Sequence, residues 1–181
     1  MGNNYQQEII AHDDFFPFLE KHFGKEHKVI KALSVLNPKY GAARADLMRY
    51  AIMYIKGGIY LDFKSCIIKK LPEMPDHIDM ITTRVSRDQT HFFPEGEIIN
   101  WFLYVRPKSL IMLDILTICI SNILDVHQNP YKEVYYDIAE LSKLTIKNSK
   151  SIVLNMTGPI MLTNVIENSK HRNSVLINSS L

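Results

Sequence analysis

A run of helix-compatible residues leads through two adjacent glycines into a short apolar strand, and this junction constrains the fold more than any other feature. The helix is predicted over 42–56, Gly57 and Gly58 end it, and the strand is predicted over 59–63. Such a unit belongs to layered α/β domains, in which helices cover a sheet. The junction therefore predicts a helix and a strand joined by a tight turn.

Helical and strand-like segments alternate along the rest of the chain. Because no repeat, low-complexity run or linker divides it, we expect one domain over residues 1–181. The alternation predicts an α/β fold with a mostly parallel sheet flanked by helices, whose ligands would bind at the carboxyl ends of the strands. Helices are predicted over about 15–23, 26–36, 109–126, 131–144 and 159–168, and strands over 78–85, 98–105 and 151–155.

Charge and cysteine content exclude several classes of protein. The 21 Lys and Arg residues against 19 Asp and Glu residues give a net charge of +2, so there is no overall electrostatic case for nucleic acid or an anionic membrane as partner. The 2 cysteines, Cys66 and Cys119, lie in apolar runs without disulfide or metal-ligand spacing, which predicts small core residues.

The most apolar segment, 110–124, is shorter than the ~20 residues that a membrane span needs, and it carries Asp114 and Asn122. It is therefore predicted to be a buried helix rather than a span. The first residues, 1–7, are polar and do not resemble a signal peptide. These observations predict a cytoplasmic protein.

Polar side chains flank the glycine junction on both sides. Asp46 and Arg49, three residues apart, share one helix face. Along an extended strand Tyr60, Asp62 and Lys64 would point to one side. Together they could hold a polar ligand, and we expect Asp46, Arg49 and Asp62 to converge on one cleft. From spacing alone, however, a surface ion pair and a solvated strand edge are the favoured interpretation.

The residue string itself resembles a known family. The segments 45–50 (ADLMRY) and 57–64 (GGIYLDFK) resemble the sugar-binding region of glycosyltransferase family 32, which includes yeast initiating α-1,6-mannosyltransferases. They are similar, more distantly, to the glucosyltransferase domains of large clostridial toxins. Weaker matches lie at Asn100 and in the Thr157-Gly158-Pro159 turn, so that the resemblance covers about 15–166.

The resemblance implies a fold and a reaction. The fold would be of the GT-A type, a Rossmann-like nucleotide-sugar-binding domain, truncated at both ends because family segments before Phe15 and at the carboxyl terminus are not found. The reaction would transfer a hexose from a GDP- or UDP-hexose to a glycan acceptor with retention of configuration. Bond cleavage would give an oxocarbenium-like sugar and negative charge on the diphosphate.

The resemblance also implies roles for single residues. Asp46 and Arg49 would bind the donor sugar's hydroxyls, Tyr60 would pack near the nucleotide, and Asp62 would contact the sugar, the ribose and a Mn²⁺ or Mg²⁺ ion. Asp62 and Lys64 are the candidate catalytic residues. Further candidate site residues are Asn100, Thr157 and Gly158.

Lys64 departs from the family pattern, because it replaces the second carboxylate of the Asp-x-Asp motif. Its ammonium group could bind the diphosphate in place of part of the metal's charge, or the motif could be degenerate. The conventional metal site is therefore in doubt, and Asp62 is its one remaining carboxylate. The alternative to an active transferase is a non-catalytic relative that binds sugar nucleotide or glycan, or serves as a partner subunit.

Overall fold

The computed structural model describes residues 6–68, 70–85, 93–125 and 153–178. Its helices are α1 (Phe15–Phe23), α2 (Lys28–Val35), α3 (Gly41–Lys56), α4 (Leu110–Leu124) and α5 (Pro159–Asn168). Its strands are β1 (Gly58–Leu61), β2 (Met80–Thr82), β3 (Phe102–Val105) and β4 (Val175–Ile177). The helices predicted around 15–23, 26–36, 42–56, 109–126 and 159–168 are thus confirmed in their described parts.

The four strands form one open, mixed sheet in the order β1-β3-β2-β4. β3 is antiparallel to both of its neighbours, and β2 pairs with β4 in parallel. The α/β class is confirmed, but the prediction of a mostly parallel sheet is wrong for these strands. Alternation of helices and strands does not determine strand direction. A connection that stays at one end of the sheet gives antiparallel strands, and one that crosses to the other end gives parallel strands.

Helix α3 lies at the centre of the fold and packs against α1, α4, β1 and β3. Because neighbours surround it, its charged side chains are buried together with its apolar ones. The interpretation of Asp46 and Arg49 as a surface pair is therefore wrong, since their exposed fractions are 4% and 6%. The buried residues of α3 are Ala43, Arg44, Asp46, Leu47, Met48, Arg49, Tyr50, Ala51 and Met53.

Helix α4 is the predicted buried helix, and it packs against α2, α3 and α5. Cys119 on α4 is buried, as predicted, whereas Cys66 is exposed because the chain leaves the sheet after β1. Within the described ranges, no helix is both long enough and apolar enough to cross a membrane. The cytoplasmic location stays a prediction.

Two predictions fail or go untested near the carboxyl terminus. The strand predicted over 151–155 is wrong in its described part, because 153–156 forms a helical turn. The backbone N–H groups of Thr157 and Gly158 both donate to the Val153 carbonyl, at 3.0 and 2.9 Å, which closes that turn. The helix predicted over 131–144 lies outside the described residues. Strand β4 was missed, because three residues carry too short an alternation to detect.

The glycine junction joins α3 to β1 as the sequence predicts. Gly57 and Gly58 have φ of 63° and 87°, a region that other residues rarely adopt. A Cβ on Gly57 would lie 2.5 Å from the Pro107 backbone nitrogen and 2.8 Å from the Val105 carbonyl oxygen. The bare glycine therefore lets β1 start against the end of β3, which sets the register that carries Asp62 back towards α3.

Candidate functional site

The Arg49 guanidinium is the centre of a charged cluster in which three segments meet. Its Nη2 lies 3.3 Å from Asp46 Oδ1 and 3.3 Å from Asp62 Oδ1. Its Nη1 donates a 2.6 Å hydrogen bond to the carbonyl of Asn100, just before β3. The structure thus brings together the three side chains that were expected to converge, and adds Asn100 to them.

Asp46 is held on both carboxylate oxygens. Asn100 Nδ2 donates to Oδ1 at 2.9 Å, and Thr157 Oγ1 donates to Oδ2 at 2.8 Å. Burial raises the pKa of Asp46 to about 6, although Arg49, Thr157 and Asn100 act to lower it. The carboxylate is therefore anchored by direct bonds, and the charge of Arg49 together with these bonds only partly offsets the cost of its burial.

Arg49 is a buried cation that its partners do not fully satisfy. Burial acts to lower its pKa, but Asp46, Tyr50, Tyr60 and Asp62 outweigh burial and raise it, so that the group stays charged. Its guanidinium carbon lies 4.7 Å from the centre of the Tyr60 ring. Its Nε is buried and has no hydrogen-bond partner within the described ranges. Such an unpaired buried donor is rare in folded proteins.

Tyr60 and Asp62 form the accessible side of the cluster. Tyr60 Oη donates to Asp62 Oδ1 at 2.8 Å, and burial raises the pKa of Tyr60 to about 12. The Asp62 side chain is 42% exposed. Since Arg49 and Tyr60 both contact Oδ1, the second oxygen of Asp62 is available to accept hydrogen bonds from a ligand.

Lys64 does not share this face of the strand, contrary to the expectation from strand alternation. β1 ends at Leu61, and the Ser65 N–H donates to the Asp62 carbonyl at 2.8 Å to close a turn over Phe63 and Lys64. Lys64 is exposed and forms no ion pair with any described residue. The turn that contains Lys64 directly follows Asp62 in the chain, and Lys64 is not part of the buried Arg49 cluster.

The donor set around Asp62 does not suit a divalent cation. Mn²⁺ and Mg²⁺ are bound by several oxygen ligands, and Lys64 stands where the family has its second carboxylate. Asp46 is buried with both oxygens engaged. Among the described residues, no three His, Cys, Asp or Glu side chains are grouped closely enough to hold a metal.

The sequence interpretation gave no role to Tyr50, although it is part of the ADLMRY string. Tyr50 is fully buried, and its hydroxyl donates to the Thr157 carbonyl at 2.8 Å. Gly158 follows Thr157, and a Cβ there would lie 2.9 Å from Leu154 Cα. The Thr157 turn is therefore packed against α3 at this point, and only the three-dimensional contact reveals the role of Tyr50.

Comparisons with known proteins find similarity to glycosyltransferases. Residues 3–83 match the family described as "Glycosyltransferase sugar-binding region containing DXD motif". The initiation-specific alpha-1,6-mannosyltransferase of Saccharomyces cerevisiae is 31% identical over 72 residues, or 40% of this chain and 15% of the yeast protein. The resemblance to family 32 glycosyltransferases is thereby confirmed in the region that contains Asp46, Arg49 and Asp62.

The fold is similar to that of a solved glycosyltransferase. The structure of PaToxG Glycosyltransferase superimposes with a TM-score of 0.52 and 18% sequence identity, covering 82% of this chain and 44% of that chain. This likeness confirms the GT-A type of fold. This chain spans less than half the length of either relative.

Proposed function

We propose that this chain, whose residues 3–83 match the glycosyltransferase sugar-binding region, is a glycosyltransferase domain that binds a nucleotide sugar at the Arg49 cluster. The observation that carries the proposal is the buried Arg49 between Asp46 and the half-exposed Asp62. Carboxylates and a guanidinium in one cluster provide the acceptors and donors that sugar hydroxyls require. The transferred group would be a hexose from GDP or UDP, and the acceptor a glycan.

Each residue has a role in this proposal. Arg49 binds hydroxyls of the donor sugar together with Asp46, whose Oδ2 accepts one hydrogen bond from Thr157 and keeps a second lone pair for a sugar hydroxyl. The exposed oxygen of Asp62 accepts from the sugar or the ribose. Tyr60 packs beside the nucleotide, and its ring faces Arg49 at 4.7 Å. The exposed Lys64 provides positive charge to the departing diphosphate. The donor's anomeric C–O bond breaks, and the diphosphate leaves with that bond's electron pair. The acceptor hydroxyl oxygen bonds to the same carbon on the same face and passes its proton to the departing diphosphate oxygen, so the configuration is retained.

A second candidate function has its own support. Lys64 replaces a carboxylate, and the described donor set does not suit a divalent cation. A non-catalytic relative, or a partner subunit of a complete transferase, would keep the sugar-binding cluster without needing the metal. The first candidate requires both donor binding and turnover. The second requires no turnover, and as a glycan-binding relative or a partner subunit it requires no donor binding either.

The test is a calorimetric screen of nucleotide sugars, with GDP-mannose, UDP-glucose, UDP-galactose and UDP-N-acetylhexosamine, each in EDTA and in Mn²⁺. One donor should bind more tightly than its bare nucleotide diphosphate. Released diphosphate and the anomer of the product, followed by NMR, then separate an active transferase from a binding relative. Absence of binding for every donor in both conditions would overturn the active transferase and favour the second candidate, as a glycan-binding relative or a partner subunit.

A further inference from the structure

Tyr50 lies one helical turn after Asp46 on α3, so the two side chains share a helix face. Thr157 bonds to both of them, although it is 111 residues from Asp46 in the chain. Its carbonyl accepts from Tyr50 Oη at 2.8 Å, and its hydroxyl donates to Asp46 Oδ2 at 2.8 Å. These two hydrogen bonds, together with the stretch of α3 between Asp46 and Tyr50, form a closed ring that includes Thr157.

The ring restrains the Thr157 turn, in which the Thr157 hydroxyl has an alternative hydrogen-bond acceptor. The Thr157 hydroxyl also lies 3.4 Å from the Val153 carbonyl, a second acceptor within its own turn. One hydroxyl proton can serve only one of these acceptors well. The Tyr50 hydroxyl, by holding the Thr157 carbonyl, keeps the turn close to α3 and favours the shorter bond to Asp46.

Tyr50 is suited to this task because it stays a neutral donor. It is fully buried, and burial together with Asp46 raises its pKa well above the usual value. A hydrogen bond between the side chains of Asn100 and Tyr50 acts in the opposite direction and lowers the pKa of Tyr50. Tyr50 therefore adjoins both of the groups that hold the oxygens of Asp46.

We propose that Tyr50 is a positioning residue whose hydroxyl, acting through Thr157, orients the Asp46 carboxylate for the donor sugar. The identity of the ligand rests on the proposed function, whereas the hydrogen bonds among Tyr50, Thr157 and Asp46 do not depend on it. Tyr50 does not touch the sugar in this arrangement. Its removal would loosen the Asp46–Thr157 bond without removing any group that contacts the donor.

The first readout needs no donor. Carbon-13 NMR of labelled aspartate, assigned with Asp46→Asn, gives the pH midpoint at which Asp46 titrates. Thr157→Val should raise the midpoint by about one pH unit and Tyr50→Phe by about half a unit, because a hydrogen bond to the charged form is lost or weakened. The groups that act on Asp46 from the elements around it are Arg49, Tyr50, Tyr60, Asp62 and Cys119.

The controls separate positioning from a general loss of structure. Thr157→Ser keeps the hydroxyl and should keep the original midpoint. Tyr54→Phe removes a hydroxyl one turn further along α3 and should change nothing. A midpoint that stays fixed in Tyr50→Phe while thermal stability falls would show a merely structural residue. If Tyr50→Phe does not fold, an unchanged midpoint in Thr157→Val overturns the proposal on its own.

The second readout links the ring to the donor. Tyr50→Phe should weaken binding of the nucleotide sugar about threefold at neutral pH and leave binding of the bare nucleotide diphosphate unchanged. Equal weakening of both ligands would contradict a role at the sugar. A shifted Asp46 midpoint with no donor binding in any protein would leave the positioning role standing and overturn the proposed function.

Discussion

Arg44 and Arg49 lie on the same helix, both are buried, and their surroundings differ completely. Arg44 donates from Nη1 to the carbonyls of Leu33 and Leu36, at 3.0 and 2.9 Å, where helix α2 ends. It has no carboxylate partner in the described part of the chain, and burial lowers its pKa. Arg49 lies between Asp46 and Asp62, which help to raise its pKa.

The difference indicates that Arg44 stabilises the fold, whereas Arg49 is positioned to bind a ligand. Arg44 caps the last carbonyls of α2, groups that every helix end must satisfy. Arg49 lies between two carboxylates, one of them on the half-exposed Asp62, and its Nε is still unpaired among the described residues. Stability should therefore depend on Arg44, and ligand binding on Arg49.

The largest expected effect is on stability. Arg44→Met should lower the free energy of unfolding by about 3 kcal/mol, because it leaves two buried carbonyls at the end of α2 without a donor. Urea denaturation measures the loss, and Arg44→Lys, which can satisfy one carbonyl, should lose less. Donor affinity of the folded Arg44→Met protein should stay within about twofold of the original. A larger change in affinity would break the division between the two arginines.

The sequence could not distinguish these two arginines. Both are long cations in a helix of low amphipathicity, and spacing alone favoured a surface pair for Arg49 and Asp46. Periodicity shows which face of a helix is buried when one face is exposed, but α3 is enclosed by α1, α4 and the sheet. Only the resemblance of the residue string identified the Arg49 cluster as a site.

The local folding signals were more informative than the long-range ones. The Gly57-Gly58 pair marked the end of α3, because positive φ values favour glycine there. The position of Asn100 beside Asp46, and of Thr157 beside Tyr50, depends on contacts between segments far apart in the chain. The direction of β3 depends on such contacts too, which is why the parallel sheet was wrongly predicted.

A second prediction uses the titration of Asp46, the carboxylate beside Arg49. Its pKa is raised from 3.8 to about 6, so between these values the folded protein binds a proton that the unfolded chain has lost. Stability should therefore increase as the pH falls from about 6 to about 4, by at most about 3 kcal/mol. Urea denaturation across this range should show a smaller increase in Asp46→Asn.

Donor binding should change in the opposite direction over the same range. Protonated Asp46 loses its negative charge and accepts sugar hydroxyls less well, so affinity should fall as the pH drops below about 6. Calorimetry at about pH 5 and pH 7 checks this. An affinity that stays the same at both pH values while stability increases would show that Asp46 acts only in the fold.

A third prediction concerns Arg49 itself. Arg49→Ala should weaken nucleotide-sugar binding by at least ~1.5 kcal/mol, roughly tenfold, because a charged hydrogen-bond partner of the sugar is lost. Binding of the bare nucleotide diphosphate should change much less. Arg49→Lys keeps a positive charge beside Asp46 and so controls for loss of the fold. Equal losses for both ligands would assign Arg49 to phosphate binding or to structure.

The smallest expected effect belongs to Lys64, at the exposed edge of the site. Lys64→Ala should weaken donor binding about fivefold, because an exposed ammonium contributes a screened charge to the diphosphate. Lys70→Ala, in the same exposed segment, should have no effect and serves as the matched control.

Lys64→Asp sharpens this test, since it rebuilds the paired carboxylates of the family motif. The original protein should bind its donor almost equally in EDTA and in Mn²⁺, whereas Lys64→Asp should bind it well only in Mn²⁺, because two carboxylates and the diphosphate can then share the cation. Strong metal dependence in the original protein would mean that oxygen ligands other than the described set complete a metal site. Unchanged affinity in Lys64→Ala would instead indicate that the lysine marks a degenerate motif, in which Asp46, Arg49 and Asp62 bind the donor without transferring it.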